Sequence, residues 1–223
     1  MNNNAEASAA EPTEPIDDAA PAEQPAAARA RKRPKPGERR VQILQTLAGM
    51  LEQPGADRIT TAALAAKLDV SEAALYRHFA SKAQMFEGLI EFIEQTVFTL
   101  INQIHEREAA PNIQVQKVLT VLLQFAEKNP GMARVMVGDA LVFENERLLA
   151  RMNQFFERFE SQLRQSLRGA ADAAGSATPT VDANAQASVL ASFAVGRLQR
   201  FARSGFKRSP TEHLDAALRM LAP

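Results

Sequence analysis

Apolar residues recur every three or four positions along most of the chain, and this period is typical of α-helices. The pattern predicts helices over 38–53, 113–128, 131–142, 144–168, 182–204 and 211–221, with a further long helix from Ser81 to about Ile104. No segment alternates apolar and polar residues as a half-buried strand does. We therefore expect an all-α fold.

The large apolar side chains of each helix lie along one face. In the first helix these are Val41, Leu44, Leu47, Ala48 and Leu51. In the long helix they are Met85, Leu89, Phe92, Ile93, Thr96, Val97, Leu100 and Ile104. In the helix over 182–204 they are Val189, Leu190, Phe193, Leu198 and Phe201.

Residues 58–82 form a separate pattern of two short helices, a tight turn and the start of the long helix. Leu64 and Leu68 lie four positions apart in the first short helix, as do Leu75 and Phe79 in the second, so each has one apolar face. These faces should pack together. With the helix over 38–53 they predict a three-helix head, residues 38–88, followed by a helical body, residues 89–223.

Polar residues stand where the short helices should begin and end. Thr60 and Ser71 occupy N-cap positions, and Ser81 followed by Gln84 has the spacing of a capping box. Asp69 lies in the turn, where aspartate tolerates the left-handed conformation. The two helices and their turn are therefore expected to form a helix-turn-helix.

Glu72, Ala73, Tyr76 and Arg77 remain as an exposed stripe on the second short helix. Small residues near its N-terminus allow a close approach to the major groove, and Tyr76 and Arg77 can contact phosphates or base edges. The alternative is a helical hairpin with a solvated face. The stripe alone does not separate these two interpretations.

The formal net charge is zero, but the charges are unevenly distributed along the chain. Residues 1–28 carry six acids and no base, residues 29–88 carry eleven bases and six acids, and residues 89–223 carry fifteen bases and fourteen acids. Positive charge is therefore concentrated around the predicted head, as neutralisation of DNA phosphates requires.

Residues 1–37 are predicted to be disordered, with an acidic tail followed by a basic arm. Arg31 and Arg33 lie in the arm, which can follow the DNA backbone or enter the minor groove. A generic solubilising linker is the alternative. We also consider the hypothesis that the acidic tail competes with DNA for the head.

Several classes of function find no support in the composition. The chain has no cysteine, and His78, His105 and His213 do not have metal-ligand spacing, so neither a disulfide nor a metal site is expected. We find no enzyme motif and predict no cofactor. No apolar run approaches the roughly 18 residues of a membrane span, and the N-terminus has no secretory signal, so we expect a cytoplasmic protein.

The segment ITTAALAAKLDVSEAALYRHFASK closely resembles the signature of TetR-type regulators, except that Asp69 stands where that family usually has glycine. The resemblance implies sequence-specific binding of double-stranded DNA. Thr60, Thr61 and Lys82 are then expected at phosphates, and Glu72, Ala73 and Tyr76 at the groove. The full predicted DNA-binding set is Thr60, Thr61, Ser71, Glu72, Ala73, Tyr76, Arg77, His78, Lys82, Arg31 and Arg33.

One head contacts one half-site, so tight binding of palindromic DNA usually requires a homodimer. TetR-type proteins dimerise through their later helices, which correspond here to 144–168 and 182–204. The predicted interface residues are Phe155, Phe159, Leu163, Phe193, Leu198 and Phe201. The alternative is that these side chains form the core of one chain.

The body allows two functions. A ligand-responsive TetR-type transcriptional repressor would need a small-molecule pocket, yet the chain has one tyrosine and no tryptophan. The stretches VSEAALYRHF, MFEGLIEFIE, EKNPG, GDALVFENERLLARMNQFFERFESQLRQ and FARSGFKRSPT instead resemble, over residues 38–215, the SlmA family of nucleoid occlusion factors. That resemblance implies a nucleoid-associated protein that inhibits the division protein FtsZ when it is bound to DNA.

The same resemblance implies an FtsZ-binding groove formed by Phe92, Lys128 and Asn129. Lys128 stands where arginine is more usual, which keeps the charge but not the planar fork. Phe92 could instead belong to the core, and Lys128 and Asn129 could serve only as a helix C-cap. The extension 1–37 and the alanine-rich loop 170–180 depart from the family pattern.

Overall fold

A computed structural model describes residues 37–53 and 58–221. The predicted tail and arm, including Arg31 and Arg33, lie outside these residues. The described helices are α1 Glu38–Leu51, α2 Thr61–Leu68, α3 Glu72–Tyr76, α4 Lys82–Arg107, α5 Pro111–Lys128, α6 Pro130–Met136, α7 Glu146–Ala173, α8 Pro179–Arg203 and α9 Leu214–Leu221, with a 3-10 helix at Asp139–Leu141. No strand occurs within the described ranges, and the all-α prediction is confirmed.

The helices of the head pack through one shared apolar layer. Leu64, Leu68, Leu75 and Phe79 are all buried, as predicted. Val41 does not join them, because its side chain is 53% exposed. Ile43, about 200° away around α1, faces the core with Leu47 and Leu51 instead.

The predicted caps of the head are confirmed. Thr60 Oγ1 accepts the Ala63 N–H at 3.1 Å, Ser71 Oγ accepts the Ala74 N–H at 3.3 Å, and Ser81 Oγ accepts the Gln84 N–H at 3.2 Å. The capping box is not reciprocal, since Gln84 Oε1 accepts the N–H of Ala80 rather than that of Ser81. Asp69 is left-handed, with φ 55°, and ends α2.

The helices of the body depart from prediction at their ends. α7 continues into the expected loop 170–180 as far as Ala173, because alanine is the strongest helix former. It ends just before Gly175, which has φ 72°. α6 stops at Met136, because Gly138 takes φ 85° and a 3-10 turn follows. α9 begins at Leu214, directly after His213, which is left-handed with φ 53°.

The described residues of the head and the body, 37–53 and 58–221, belong to one compact unit. α4 spans the predicted boundary between residues 88 and 89, and α6 packs directly on α1. Gly131 of α6 is so close to α1 that a Cβ atom there would overlap the carbonyl oxygen of Ala48. The head is therefore joined to the body through α4, which runs from one into the other, and it also packs on α6. No helix of the described ranges is long and apolar enough to cross a membrane.

Candidate DNA-binding surface and partner groove

The exposed face of α3 carries the predicted base-contacting side chains. Glu72, Ala73, Tyr76 and Arg77 all point to solvent, and the Tyr76 side chain is 45% exposed. Leu75 is 1% exposed and holds α3 against the rest of the head. This arrangement leaves the stripe free to enter a major groove, as the sequence predicts.

Thr61 and Glu72 form a direct contact between the N-termini of α2 and α3. Thr61 Oγ1 donates to Glu72 Oε2 at 2.6 Å. Thr60 and Ser71 use their oxygens as caps, but each hydroxyl keeps a proton that can be donated to a phosphate. The Thr61–Glu72 hydrogen bond fixes the Glu72 carboxylate and was not expected from the sequence.

Arg40 of α1 is a further DNA-side residue that sequence reasoning missed. Its Nη1 donates to the backbone carbonyl of His78 at 3.0 Å, and its guanidinium lies 4.1 Å from the Phe79 ring centroid. His78 itself is exposed and lies two positions after Tyr76, the last residue of α3. Arg40 therefore fixes the segment that directly follows α3, and so helps to hold the recognition helix against α1.

Lys82, predicted to contact phosphate, forms an ion pair with Glu144, which comes just before α7. The Glu144 side chain is only 9% exposed. Lys82 starts α4. If Lys82 contacts a phosphate, as the sequence predicts, that phosphate and Glu144 would compete for the same ammonium group. Nothing in the sequence indicates this pair, since its members are 62 positions apart.

Two more ion pairs connect α4 and α7. Arg147 Nη2 lies 2.8 Å from Glu87 Oε1, and Arg151 binds Glu94 with two hydrogen bonds of 3.0 and 2.5 Å. The hydrogen bonding that Arg151 donates to the Glu94 carboxylate raises the pKa of Arg151. With Lys82 and Glu144, these pairs form a line from the head into the body.

We expect Lys82→Ala to flatten the slope of log affinity against log salt by about one unit, because one phosphate contact is lost. Glu144→Gln should instead raise DNA affinity by about fivefold, because the competing carboxylate is gone and a partly exposed ion pair contributes roughly 1 kcal/mol. Fluorescence anisotropy over a salt series measures both. Lys117→Ala, which removes the ion pair between Lys117 of α5 and Glu108 at the end of α4, is the matched control. An unchanged slope for Lys82→Ala would show that Lys82 does not contact phosphate.

Phe92 is exposed, which argues against the alternative that it belongs to the core. Its side chain is 45% exposed and its ring centroid lies 6.2 Å from that of Phe125. Leu100, on the same apolar stripe, is 38% exposed. α5 covers only one side of α4, and Phe92 and Leu100 lie beside the part of α4 that α5 covers. They leave an apolar surface between the two helices.

The end of α5 borders this apolar surface. Asn129 Nδ2 donates to the Phe125 carbonyl at 2.7 Å, so Asn129 caps α5. This is the C-cap role considered above as the alternative for Asn129. The Lys128 side chain is exposed and has no ion-pair partner among the described residues. We call the surface formed by Phe92, Phe125, Lys128 and Asn129 the tail groove. It combines an apolar floor with a cationic rim.

The predicted dimer residues lie mostly inside one chain. Phe155, Phe159, Leu163, Leu198 and Phe201 are each at most 3% exposed, so the assignment of these five to an interface is wrong. α7 and α8 pack on each other within the protomer, and these side chains are buried there. Phe193 is partly buried and lies 4.9 Å from the Arg197 guanidinium.

A different face of α7 and α8 forms an open groove of about 580 Å³. Leu149, Phe156, Ser192 and Val195 are among its lining residues. Leu149 is 46% exposed. Both helices therefore still offer a surface to a second copy, on side chains outside the predicted interface set.

A small polar cavity of about 230 Å³ lies where α4 ends and α5 begins. Ser166, 4% exposed, donates to Gln114 Oε1 at 2.9 Å and lies 3.3 Å from His105 Nε2. Burial lowers the pKa of His105. These groups satisfy one another. Across the described ranges, no cluster of three histidine, aspartate or glutamate side chains has the geometry of a metal site.

Comparison with known families divides the chain into two parts. Residues 43–89 match the profile of bacterial regulatory proteins of the tetR family. Residues 111–222 match the SlmA-like profile, described as a tetracyclin repressor-like C-terminal domain. The first covers the helix-turn-helix and the second covers α5 to α9.

Two relatives show the same match over nearly their whole length. The nucleoid occlusion factor SlmA of Alteromonas mediterranea is 53% identical over 177 residues, which cover 79% of this chain and 90% of that protein. SlmA of Photobacterium profundum is 52% identical over 185 residues, covering 82% and 94%.

Solved structures confirm the fold. The TetR family transcriptional regulator PfmR from Thermus thermophilus superposes with a TM-score of 0.67 at 19% identity, covering 81% of this chain and 97% of that one. FadR from Bacillus subtilis, in complex with stearoyl-CoA, gives a TM-score of 0.65 at 14% identity, covering 82% and 97%.

Proposed function

This chain belongs to the SlmA family of TetR-type nucleoid occlusion factors, and we propose that it is a DNA-activated inhibitor of FtsZ ring assembly. It binds palindromic DNA as a homodimer and prevents septum formation over the nucleoid. In this proposal it acts in the cytoplasm, on the nucleoid. The family is one of DNA-binding regulators, so the prediction that the chain is not an enzyme is confirmed.

The observation that carries the FtsZ assignment is the tail groove. An exposed apolar patch with a polar rim is typical of a protein-binding surface. Phe92, Phe125 and Lys128 supply an apolar floor and one positive charge, which fit a short peptide with apolar and acidic side chains. Asn129 positions the end of α5, through its hydrogen bond to Phe125, and so supports the rim of the groove.

The DNA side of the proposal rests on the geometry of α3. Its exposed stripe is held from behind by Leu75 and at its end by Arg40, so the helix can enter a groove without rearranging. The link from DNA to the body is the Lys82–Glu144 pair. DNA that attracts Lys82 would release Glu144 beside α7, and this change would accompany binding.

The direct test is sedimentation of purified FtsZ polymers with this protein, with and without DNA selected from random sequence by the protein itself. We expect polymers to be lost only when the selected DNA is present. If polymers are unaffected while DNA binding is tight, the FtsZ assignment is wrong. A screen for small molecules that release the DNA would then test the ligand-responsive repressor.

Phe92→Ala should weaken inhibition of FtsZ by about tenfold or more, because it removes the aromatic centre of the groove. Its DNA affinity should be unchanged, and its stability little altered, since the side chain is largely exposed. Ile113→Ala truncates an apolar side chain of α5 that is 43% exposed and outside the groove, and it serves as the control. Equal inhibition by both variants would place the FtsZ site elsewhere.

A further inference from the structure

The C-terminal end of α8 carries an unusual run of positive charge. Residues 183–211 contain five bases and no acid. Arg203, Lys207 and Arg208 are exposed, and none has an ion-pair partner among the described residues. We call residues 203–208 the basic turn.

The basic turn has a fixed backbone. The N–H groups of Gly205 and Phe206 donate to the carbonyls of Ala202 and Phe201 at 3.1 and 3.0 Å, which is the hydrogen-bond pattern of a Schellman motif. Gly205 has φ 62° and Phe206 has φ 65°. The left-handed region is disfavoured for phenylalanine, so surrounding contacts must hold Phe206 there.

Aromatic and polar contacts supply that support. The Phe206 ring centroid lies 5.2 Å from that of Phe201, and the Arg134 guanidinium lies 5.5 Å from the Phe206 ring centroid. Ser204 Oγ accepts the Arg208 N–H at 2.9 Å, which fixes the backbone from residue 204 to residue 208, where Lys207 and Arg208 lie. The turn therefore presents Lys207 and Arg208 from a rigid base.

A carboxylate clamp holds the segment after the basic turn against the last turn of α5. Glu127, the residue before Lys128, accepts hydrogen bonds from the hydroxyls of Ser209 and Thr211, the latter at 2.7 Å. Both carboxylate oxygens of Glu127 are thereby occupied by neutral donors. At this end of α5, Lys128, Lys207 and Arg208 have no ion-pair partner among the described residues.

We infer that the basic turn is a second contact site for the protein segment that binds the tail groove, and that it binds acidic side chains flanking the seated residues. This inference rests on the proposed function. Uncompensated cations on a rigid turn attract an anionic chain at little ordering cost. An extended peptide seated on Phe92 and passing Lys128 would continue across Lys207 and Arg208.

The position of the turn favours a peptide over DNA. α6, which supports the turn through Arg134, packs on the C-terminal half of α1, where Gly131 meets Ala48. The recognition helix is held at the other end of α1, by Arg40 in its first turn. The basic turn and the DNA-facing stripe are therefore at opposite ends of α1.

The test uses the full-length protein on its selected DNA and two synthetic peptides. The first is the C-terminal tail of FtsZ from the same organism, and the second is the same tail with every Asp and Glu replaced by Asn and Gln. We expect Lys207→Ala/Arg208→Ala to weaken binding of the first peptide by about tenfold at low salt and to leave binding of the second unchanged. Arg107→Ala/Arg168→Ala removes two exposed charges near the far end of α5 and should match the wild type for both peptides.

The outcomes separate the inference from the proposed function. If the wild type binds neither peptide, the FtsZ assignment fails, and the inference fails with it. If Lys128→Ala weakens binding while Lys207→Ala/Arg208→Ala does not, the groove stands and the second contact site is wrong. If Lys207→Ala/Arg208→Ala instead lowers DNA affinity and flattens its salt dependence, the turn is a DNA contact and the inference is overturned.

Discussion

Gly131→Ala is expected to lower the free energy of unfolding by about 2–4 kcal/mol, one of the largest effects available to a single methyl group in this protein. The added Cβ would overlap the carbonyl oxygen of Ala48 and lie 3.0 Å from its carbonyl carbon. Both belong to the backbone of α1, which cannot rotate away as a side chain can. The clash can be relieved only by moving α6 away from α1.

Two other glycines calibrate this prediction. Gly196→Ala, in α8, meets no atom within 4 Å and should be neutral or stabilising by up to about 1 kcal/mol, because alanine favours helix. Gly88→Ala meets only the Leu44 side chain, at 3.0 Å, and should fall between the two. Urea unfolding followed by circular dichroism ranks the three variants. Equal stability of Gly131→Ala and Gly196→Ala would contradict the close packing of α1 and α6.

Gly131→Ala also tests how the head and body are coupled. Because α6 touches α1 directly, separating them should loosen the head without altering the exposed face of α3. DNA affinity should then fall less than stability does. A variant that unfolds more easily but still binds DNA would show that the recognition surface is built within the head.

The local features of the head were predictable from the sequence because their causes are local. Thr60, Ser71 and Ser81 cap helices through backbone N–H groups three positions away, and Asp69 takes its turn conformation from its own side chain and backbone. Long-range contacts were not predictable in this way. The Lys82–Glu144 pair and the contact between Arg40 and His78 depend on how the helices pack, which the helical period does not specify.

The helical period also leaves open which neighbour a stripe will face. For α7 and α8 it identified apolar side chains correctly but assigned them to a dimer, whereas Phe155 and Phe159 form the core of one chain. For Phe92 the helical period left burial and exposure both open, and the structure leaves its side chain exposed. Its role in the tail groove came from family resemblance alone and remains a proposal.

The open groove between α7 and α8 is the surface on which we expect two copies to associate. Leu149, Phe156 and Val195 give it apolar character, and the two helices that form it are among the longest described. A twofold axis at this face would bring the same helices of each copy together as a four-helix interface. Every substitution in such an interface acts twice, once from each copy.

Leu149→Glu/Ser192→Glu is therefore expected to convert the dimer to a monomer and to lower affinity for palindromic DNA by about 100-fold or more, since the second head no longer binds at high effective concentration. Four carboxylates would be buried in the dimer, while in one chain both positions face solvent, so the protomer should stay folded. Analytical ultracentrifugation measures the assembly state, and anisotropy with full and half sites measures DNA binding.

Gln154→Glu/Ser161→Glu adds two carboxylates to α7 at exposed positions about 120–140° around the helix from Leu149, and it should remain dimeric. Affinity for a single half-site should be the same in both variants and in the wild type, because α3 is untouched. If Leu149→Glu/Ser192→Glu stays dimeric, the interface lies on another face. If it is monomeric but binds the palindrome as tightly as the wild type, two linked heads are not the source of affinity, and each head must bind its half-site independently.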